Sequence, residues 1–467
     1  MSYTCSMRCR RTPVAAVLLC LAVACTEAPE PVITPSTSPP RAVTPSPSAA
    51  PPPIPFTAAA LRRALTAEAL ASHLRRLQAI ADQNGGIRSA ATPGYERSAD
   101  YAASVFRAAG FRVRFEPFEM PVFDLAEPSR LDGAGLDLHD GRDFRAAIYS
   151  GSGDVTGPVS DAGYGCSSSG FGAGVALVRY GGGCSTSSKV RNAQAAGAVA
   201  VLVIRSDSVP GAPIRPTLGS PEGIEVPVLA LTPPAGDAIA GLGGGEVRVS
   251  VRAERPIRTT RNVVAEIGPR TGPVLMAGGH LDSVIDGPGI NDNGSGSAAV
   301  LALAEALGRV RRPPRVRLAL WSGEEYFLLG STHHVENLDG AERAEIDAYV
   351  NFDMIGSPNA AHLVYDGDAE VRDALVAGLR GLPYELEAMQ GNSDHAPFAD
   401  SGIDVGGIFT GALERITELQ AQRFGAVAGA PADACYHQAC DDLHNVDLVL
   451  AERMADALAE AVVILAG

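Results

Sequence analysis

The chain lacks a surplus of basic residues. It holds 38 Lys and Arg against 53 Asp and Glu, a net charge of −15 over 467 residues. No basic cluster offsets that balance, so nucleic acid and anionic lipid are poorly matched partners, whereas local carboxylates can still bind cations. Beyond the first 25 residues it has no apolar run long enough to span a bilayer. It has no serine in a nucleophile elbow. Gly181-Gly182-Gly183 lacks both the lysine and the helix context of a phosphate loop and reads as a turn.

Cysteine is sparse as well, eight in all. Cys5, Cys9 and Cys20 fall in an N-terminal targeting segment, where MSYTCSMRCRR supplies positive charge and TPVAAVLLCLAVAC a short apolar run. Residues 1–25 read as a signal for export, and LAVAC resembles a lipobox with Cys25 as the lipid-modified residue. Release after simple cleavage is the alternative. The chain is thus expected to be secreted or to sit in the cell envelope, touching membrane only through Cys25. The remaining cysteines form two local pairs, Cys166 with Cys184 and Cys435 with Cys440, and an even count in an exported chain favours disulfides. Covalent catalysis is left without a good candidate.

Residues 26–56 are almost entirely Pro, Ser, Thr and Ala and read as an extended linker. Helical spacing runs through 57–83, and a second helix is expected through YERSADYAASVFRAAG. FRVRFEPFEMPVF then alternates as a strand. Between 130 and 257 the texture shifts to Gly, Ser and Val, with strands GVALVRY and AVAVLVIRS around one helix, SSKVRNAQAAG. This stretch reads as a small β-rich module inserted into a larger domain made of 57–129 and 258–467. In the latter part strands and helices alternate, which predicts an α/β fold with a mixed, mainly parallel sheet flanked by helices. Ligands in such folds bind beyond the carboxyl ends of the strands.

Those ends are unusual. VLMAGG runs into His280, with Asp282 two residues on, and the loop after it delivers Asp292. VRLALWSG runs into Glu324-Glu325, and AYVNFD ends at Asp353. Isolated carboxylates there are often helix caps. Three successive strands each ending in a potential ligand point instead to a metal site. Imidazole and carboxylate suit zinc, with a position left open for water. Two metals require a shared carboxylate and a second histidine. His437, inside CYHQAC, is the fifth ligand candidate, since a bridge between Cys435 and Cys440 would fix it in a small rigid loop.

HLDS, GINDNGSGSAAVLALAEAL, WSGEE, NFDMIGS, SDHAPF, GGIFTGA and CYHQAC, in that order, resemble the secreted bacterial di-zinc aminopeptidases of the phosphorylase/hydrolase-like fold. RYGGGCSTSSKVRNAQAAGAVAVLV resembles a protease-associated domain. The first resemblance implies two zinc ions per chain, with Asp292 bridging, His280 and Asp353 on one and Glu325 and His437 on the other. It makes Glu324 the general base and has Asp282 orient His280. It gives Tyr436 a place to hydrogen-bond the oxyanion and implies a cis peptide at Asp292-Asn293. It also gives Glu324 and Asp353 the substrate's free α-amine. Peptides with apolar N-terminal residues are the implied substrates, cut by a monomer. Phe409 and Met354 are candidate walls for the side-chain pocket, with ordinary core positions as the alternative.

Relatives of this kind carry Arg just before SDHAPF. Here Gly391-Asn392 stands there, and Asn392 can hydrogen-bond substrate but brings no charge. A carboxypeptidase or dipeptidase on the same fold is the rival reading, although no Arg or Lys adjoins the motifs to hold a substrate carboxylate. A non-catalytic binding ectodomain should have lost ligands, and none is missing. His333-His334, His395 and His444 are expected to pack, hydrogen-bond or face solvent rather than bind metal. The inserted module is expected to cover part of the site and limit substrate size.

Overall fold

VLMAGGH has no polar face, and accordingly Val274–His280 (β3) is buried along its whole length at the centre of an eight-stranded sheet. The computed structural model describes residues 52–207, 211–389 and 391–467. The expected signal segment, Cys25 and most of the linker lie outside these residues. The other strands of the sheet are Arg112–Pro121 (β1), Ile257–Ile267 (β2), Val316–Trp321 (β4), Ile346–Phe352 (β5), Leu363–Tyr365 (β6), Glu385–Glu387 (β7) and Asp404–Phe409 (β8). Their order is β1-β2-β4-β3-β5-β8-β6-β7. β4, β3, β5 and β8 run parallel, whereas β1 and β2 pair antiparallel to their neighbours, and β6 runs antiparallel to β8 but parallel to β7. The sheet is therefore mixed and parallel at its centre.

Helices cover it. Gly294–Gly308 (α1) is buried on nearly every side, as its sequence GSGSAAVLALAEALG permits. Asn293 caps its start, accepting from the Gly296 N–H at 2.9 Å. Gly296 has no room for a side chain, because a Cβ there would lie 2.2 Å from the Phe352 carbonyl oxygen. That close approach seats the start of α1 against the end of β5. Leu448–Ala466 packs beside it in the same core.

A second sheet, of seven strands, is built wholly from chain between Arg130 and Val251. Its central strands Gly174–Arg179 and Ala198–Ile204 match GVALVRY and AVAVLVIRS. The helix between them is Thr186–Ala195, capped by Ser185. A further helix, Pro233–Ala240, was not expected, and it opens on two prolines. They occupy the first turn, where a missing N–H costs nothing. Likewise the single helical run over 57–83 divides into Ala58–Arg62 and Ala67–Asp82, because the Thr66 hydroxyl accepts from the Ala69 N–H and starts a new helix. Both expected disulfides are present, Cys166–Cys184 and Cys435–Cys440. The Asp292–Asn293 peptide is cis. Among the described residues no helix is long and apolar enough to cross a membrane.

Candidate active site

The parallel strands β3, β4 and β5 end side by side, with His280 in register with Trp321. Each hands its polar residue to one place. His280 Nε2 stands 3.3 Å from Asp292 Oδ1 and 3.4 Å from Asp353 Oδ1. His437 Nε2 stands 3.1 Å from Asp292 Oδ2 and 3.0 Å from Glu325 Oε2. The two oxygens of Asp292 are thus divided between two trios, and within each trio the candidate donor atoms lie within 4.8 Å of one another. Among these atoms His280 Nε2, Asp353 Oδ1 and Glu325 Oε1 are buried without a hydrogen bond. Buried polar atoms left this way are costly unless something else binds them.

Charge says the same. Burial alone would lower the imidazole of His280, yet Asp353, Glu324 and Asp292 hold it well above its ordinary pKa. His437 is similarly pushed up to about 10, against its burial, by Glu325 and Asp292. Asp292 is held well below the usual carboxylate range, because the two histidines that face its oxygens outweigh its burial. Burial raises Glu325, and Glu324 rises well above the ordinary value through burial and the neighbouring carboxylates. So dense a nest of carboxylates takes up positive charge, as protons on imidazoles or as metal cations. Its donor set of imidazole nitrogen and carboxylate oxygen fits zinc.

The surrounding groups aim the donors. His280 Nδ1 lies 3.1 Å from the Asp282 backbone carbonyl, which leaves Nε2 facing the oxygens. The Asp282 carboxylate is farther from that ring nitrogen, at 3.8 Å, and instead accepts the Glu324 N–H at 3.3 Å. The expected orienting contact to His280 therefore comes from the backbone of Asp282. Ser393 donates to Asp353 Oδ2 at 2.7 Å. The Tyr436 ring stacks on His437 at 3.8 Å.

Several supports were invisible in the sequence. Arg88 is fully buried and donates to the carbonyls of Leu281, Pro288 and Gly289, holding the loop that leads to Asp292. The Asp441 carboxylate accepts the backbone N–H groups of Asn291 and Asp292 at 2.8 and 3.0 Å. Asp394 is fully buried, and burial raises it to about 7, as it does Asp282. Asp286 pairs with Arg145 and Arg215 of the inserted module. Gln438, beside His437, donates to the Pro213 carbonyl. Nothing in the spacing of these residues signals such long-range contacts.

A cavity of about 590 Å³ opens over the cluster, floored by Glu324, Glu325, Tyr436 and His437. Asn392 lines it, and the inserted module supplies its far wall, including Arg205 and Arg215. The fold therefore brings cations near motifs that have none beside them in sequence. Both are already engaged, Arg205 with Asp207 and Arg215 with Asp286. Neither Met354 nor Phe409 is among this cavity's lining residues. Met354 is 2% exposed, and Phe409 packs against Ala361, Leu363, Ile416 and Ala432. His334 pairs with Glu116, His333 stacks on Phe118, and His444 faces solvent.

Comparison with known proteins agrees with this geometry. Residues 262–462 match the model of peptidase family M28, and residues 154–239 match the PA domain. An aminopeptidase of Pseudomonas aeruginosa is 37% identical over 434 residues, covering 85% of this chain and 81% of the relative. A "Probable lipoprotein aminopeptidase" of Mycobacterium tuberculosis is 35% identical, covering 84% and 83%. Among solved structures, the aminopeptidase from Aneurinibacillus sp. strain AM-1 superposes with a TM-score of 0.71 at 25% identity, covering 88% of this chain and 96% of that one. BSAP, a zinc aminopeptidase from Bacillus subtilis, gives 0.67 at 25% identity, covering 85% and 95%. With a carboxylate–imidazole cluster at its strand ends and relatives matched over most of their length, the chain belongs to peptidase family M28 and carries a PA domain within it.

Proposed function

We propose that this protein is an exported di-zinc aminopeptidase that removes N-terminal, preferentially apolar, residues from peptides. The observation that carries this reading is the division of Asp292's two oxygens between the two trios. In it, His280 and Asp353 would hold one zinc ion, Glu325 and His437 the other, and Asp292 would serve both. Zinc bound there would supply a lowered pKa for water and polarisation of the scissile carbonyl. Glu324, which lines the cavity beside Glu325, takes the attacking water's proton and passes it to the leaving amine. The Tyr436 hydroxyl, kept protonated by burial, donates to the oxyanion. Glu324 and Asp353 receive the free α-amine, and Asn392 offers the cavity an uncharged hydrogen-bonding group. Arg205 and Arg215 are both paired to carboxylates of their own chain, so among the described residues lining this cavity no cation is left free for a substrate's C-terminus, which favours action at the N-terminus.

In this reading the peptidase domain comprises 57–129 and 258–467. The PA domain, 130–257, restricts access to short or flexible ends. Cys25, preceded by LAVA, anchors the mature monomer by lipid or marks its release point, and the lipoprotein name of the mycobacterial relative favours the anchor.

The test uses the zinc-loaded protein and Glu324→Gln on peptides with free and acetylated N-termini, followed by mass spectrometry. Stepwise loss from free N-termini alone, with the variant slowed about 100-fold or more at unchanged zinc content, is expected. Cleavage of acetylated peptides at an equal rate, or trimming from C-termini, would overturn the proposal.

A further inference from the structure

Phe327 occupies a backbone position that disfavours it. Its φ is +84°, and that of Leu328 is +60°. Left-handed residues without glycine's freedom persist where the surroundings over-determine them, often at functional sites. Here the turn is fixed by the N–H groups of Phe327 and Leu328, which both donate to the Glu324 carbonyl at 2.8 and 2.9 Å. Despite that rigid seat, the Phe327 side chain is 63% exposed. It stands over the same cavity that Glu324 and His437 floor. On the opposite side the PA module comes close, since a Cβ built on Gly219 would lie 3.8 Å from the Phe327 ring. Leu328, Ile148 and Ile214 also line this cavity. An apolar slot shared by two modules thus adjoins the carboxylate–imidazole cluster.

We propose that this slot, centred on Phe327, is the binding site for an apolar side chain on the substrate residue that follows the scissile bond. The inference rests on the aminopeptidase reading above. An aminopeptidase keeps only one residue on the amine side of the bond it cuts. His280, 1% exposed, and Asp353, 9% exposed, lie at the closed end and do not line the cavity. Glu324, Glu325, Tyr436 and His437 do line it, so the remainder of the peptide leaves past Phe327. An exposed aromatic ring held rigidly by its backbone offers a large apolar contact at little further ordering cost.

Phe327→Gly separates this role from a structural one, because glycine accepts the positive φ and removes the ring. The substrates are Leu-Phe, Leu-Gly and leucinamide, with alaninamide as a check on the amine side. For Phe327→Gly the ratio of kcat/KM for Leu-Phe over Leu-Gly is expected to fall about tenfold, mainly through KM, with thermal stability equal or higher. Phe327→Asn, which tolerates the same φ and is polar, should give the same fall. An unchanged ratio in a folded variant overturns the proposal. So does a shift in the leucinamide-to-alaninamide ratio in its place, which would put Phe327 on the amine side. Failure of the wild type to hydrolyse leucinamide at all would instead sink the aminopeptidase reading.

Discussion

Replacing Arg88 by Met removes a cation that lies more than 190 residues from the loop it holds. Its guanidinium, fully buried, serves the carbonyls of Leu281, Pro288 and Gly289, and its N–H donates to Ser283 Oγ at 2.9 Å. Burial pushes its pKa down to about 10, opposed by Asp282, Asp441, Asp292 and Glu325, so it remains charged at neutral pH. Hydrogen bonds from a charged donor contribute about 1.5–3 kcal/mol each, and three are lost together. Methionine spares the cost of burying the charge but leaves three carbonyls without donors. The net loss in stability should be about 3–5 kcal/mol, as for breaking other buried charge networks. A second effect is local, since the loop ends at Asp292. Zinc affinity should drop about 10–100-fold, the range for groups that support ligands indirectly. Arg88→Lys keeps the charge but not the fork and should fall between. Denaturant titration of the zinc-free protein measures the first effect, and competition with a chromophoric chelator the second. A Met variant that loses stability yet binds zinc as the wild type does would refute the idea that Arg88 positions Asp292.

Gly287→Ala would place a Cβ 2.1 Å from the Gln438 carbonyl oxygen, displacing the segment that bears His437. Its zinc affinity should weaken by about tenfold or more in the same chelator competition. Removing metal with a chelator should abolish hydrolysis and lower stability, by about 4 kcal/mol relative to protein with zinc at a thousandfold excess over Kd, and readdition should restore both. His73, buried with Nδ1 2.7 Å from the Tyr101 hydroxyl, is pushed down to about 4 by burial. The unfolded chain takes up this proton near pH 6.5, so the contribution is full above that pH and is lost as the pH falls toward 4. On the order of 3 kcal/mol is at stake, and His73→Gln should flatten the fall in denaturation midpoint between pH 7 and 4.5.

The central sheet was legible because buried parallel strands must be apolar on both faces, and VLMAGGH and VRLALW have no other plausible use. The cluster was legible because polar residues with metal-binding atoms followed strand after strand. What sequence could not carry was contact between distant segments. Asp441 and Asp292 are 149 positions apart, and Arg215 and Asp286 are joined only because the PA module folds over the loop. Local signals also competed. At Thr66 a capping hydroxyl overrode helical periodicity. Met354 sits in the interior because its N–H meets the Asn293 side chain just after β5, a contact that no hydrophobicity pattern records.

The loop closed by Cys435 and Cys440 has a meaning for the order in which the molecule is made. Chains grow from the N-terminus and domains fold as they emerge. By the time β5 and Asp353 are complete, the trio of His280, Asp292 and Asp353 can assemble. The other trio must wait for His437, more than eighty residues later. A chain interrupted anywhere in that interval carries the first trio without the second, with the PA module already made. If both trios are needed for hydrolysis, as proposed above, the cell that makes the chain is spared a working site until His437 has emerged.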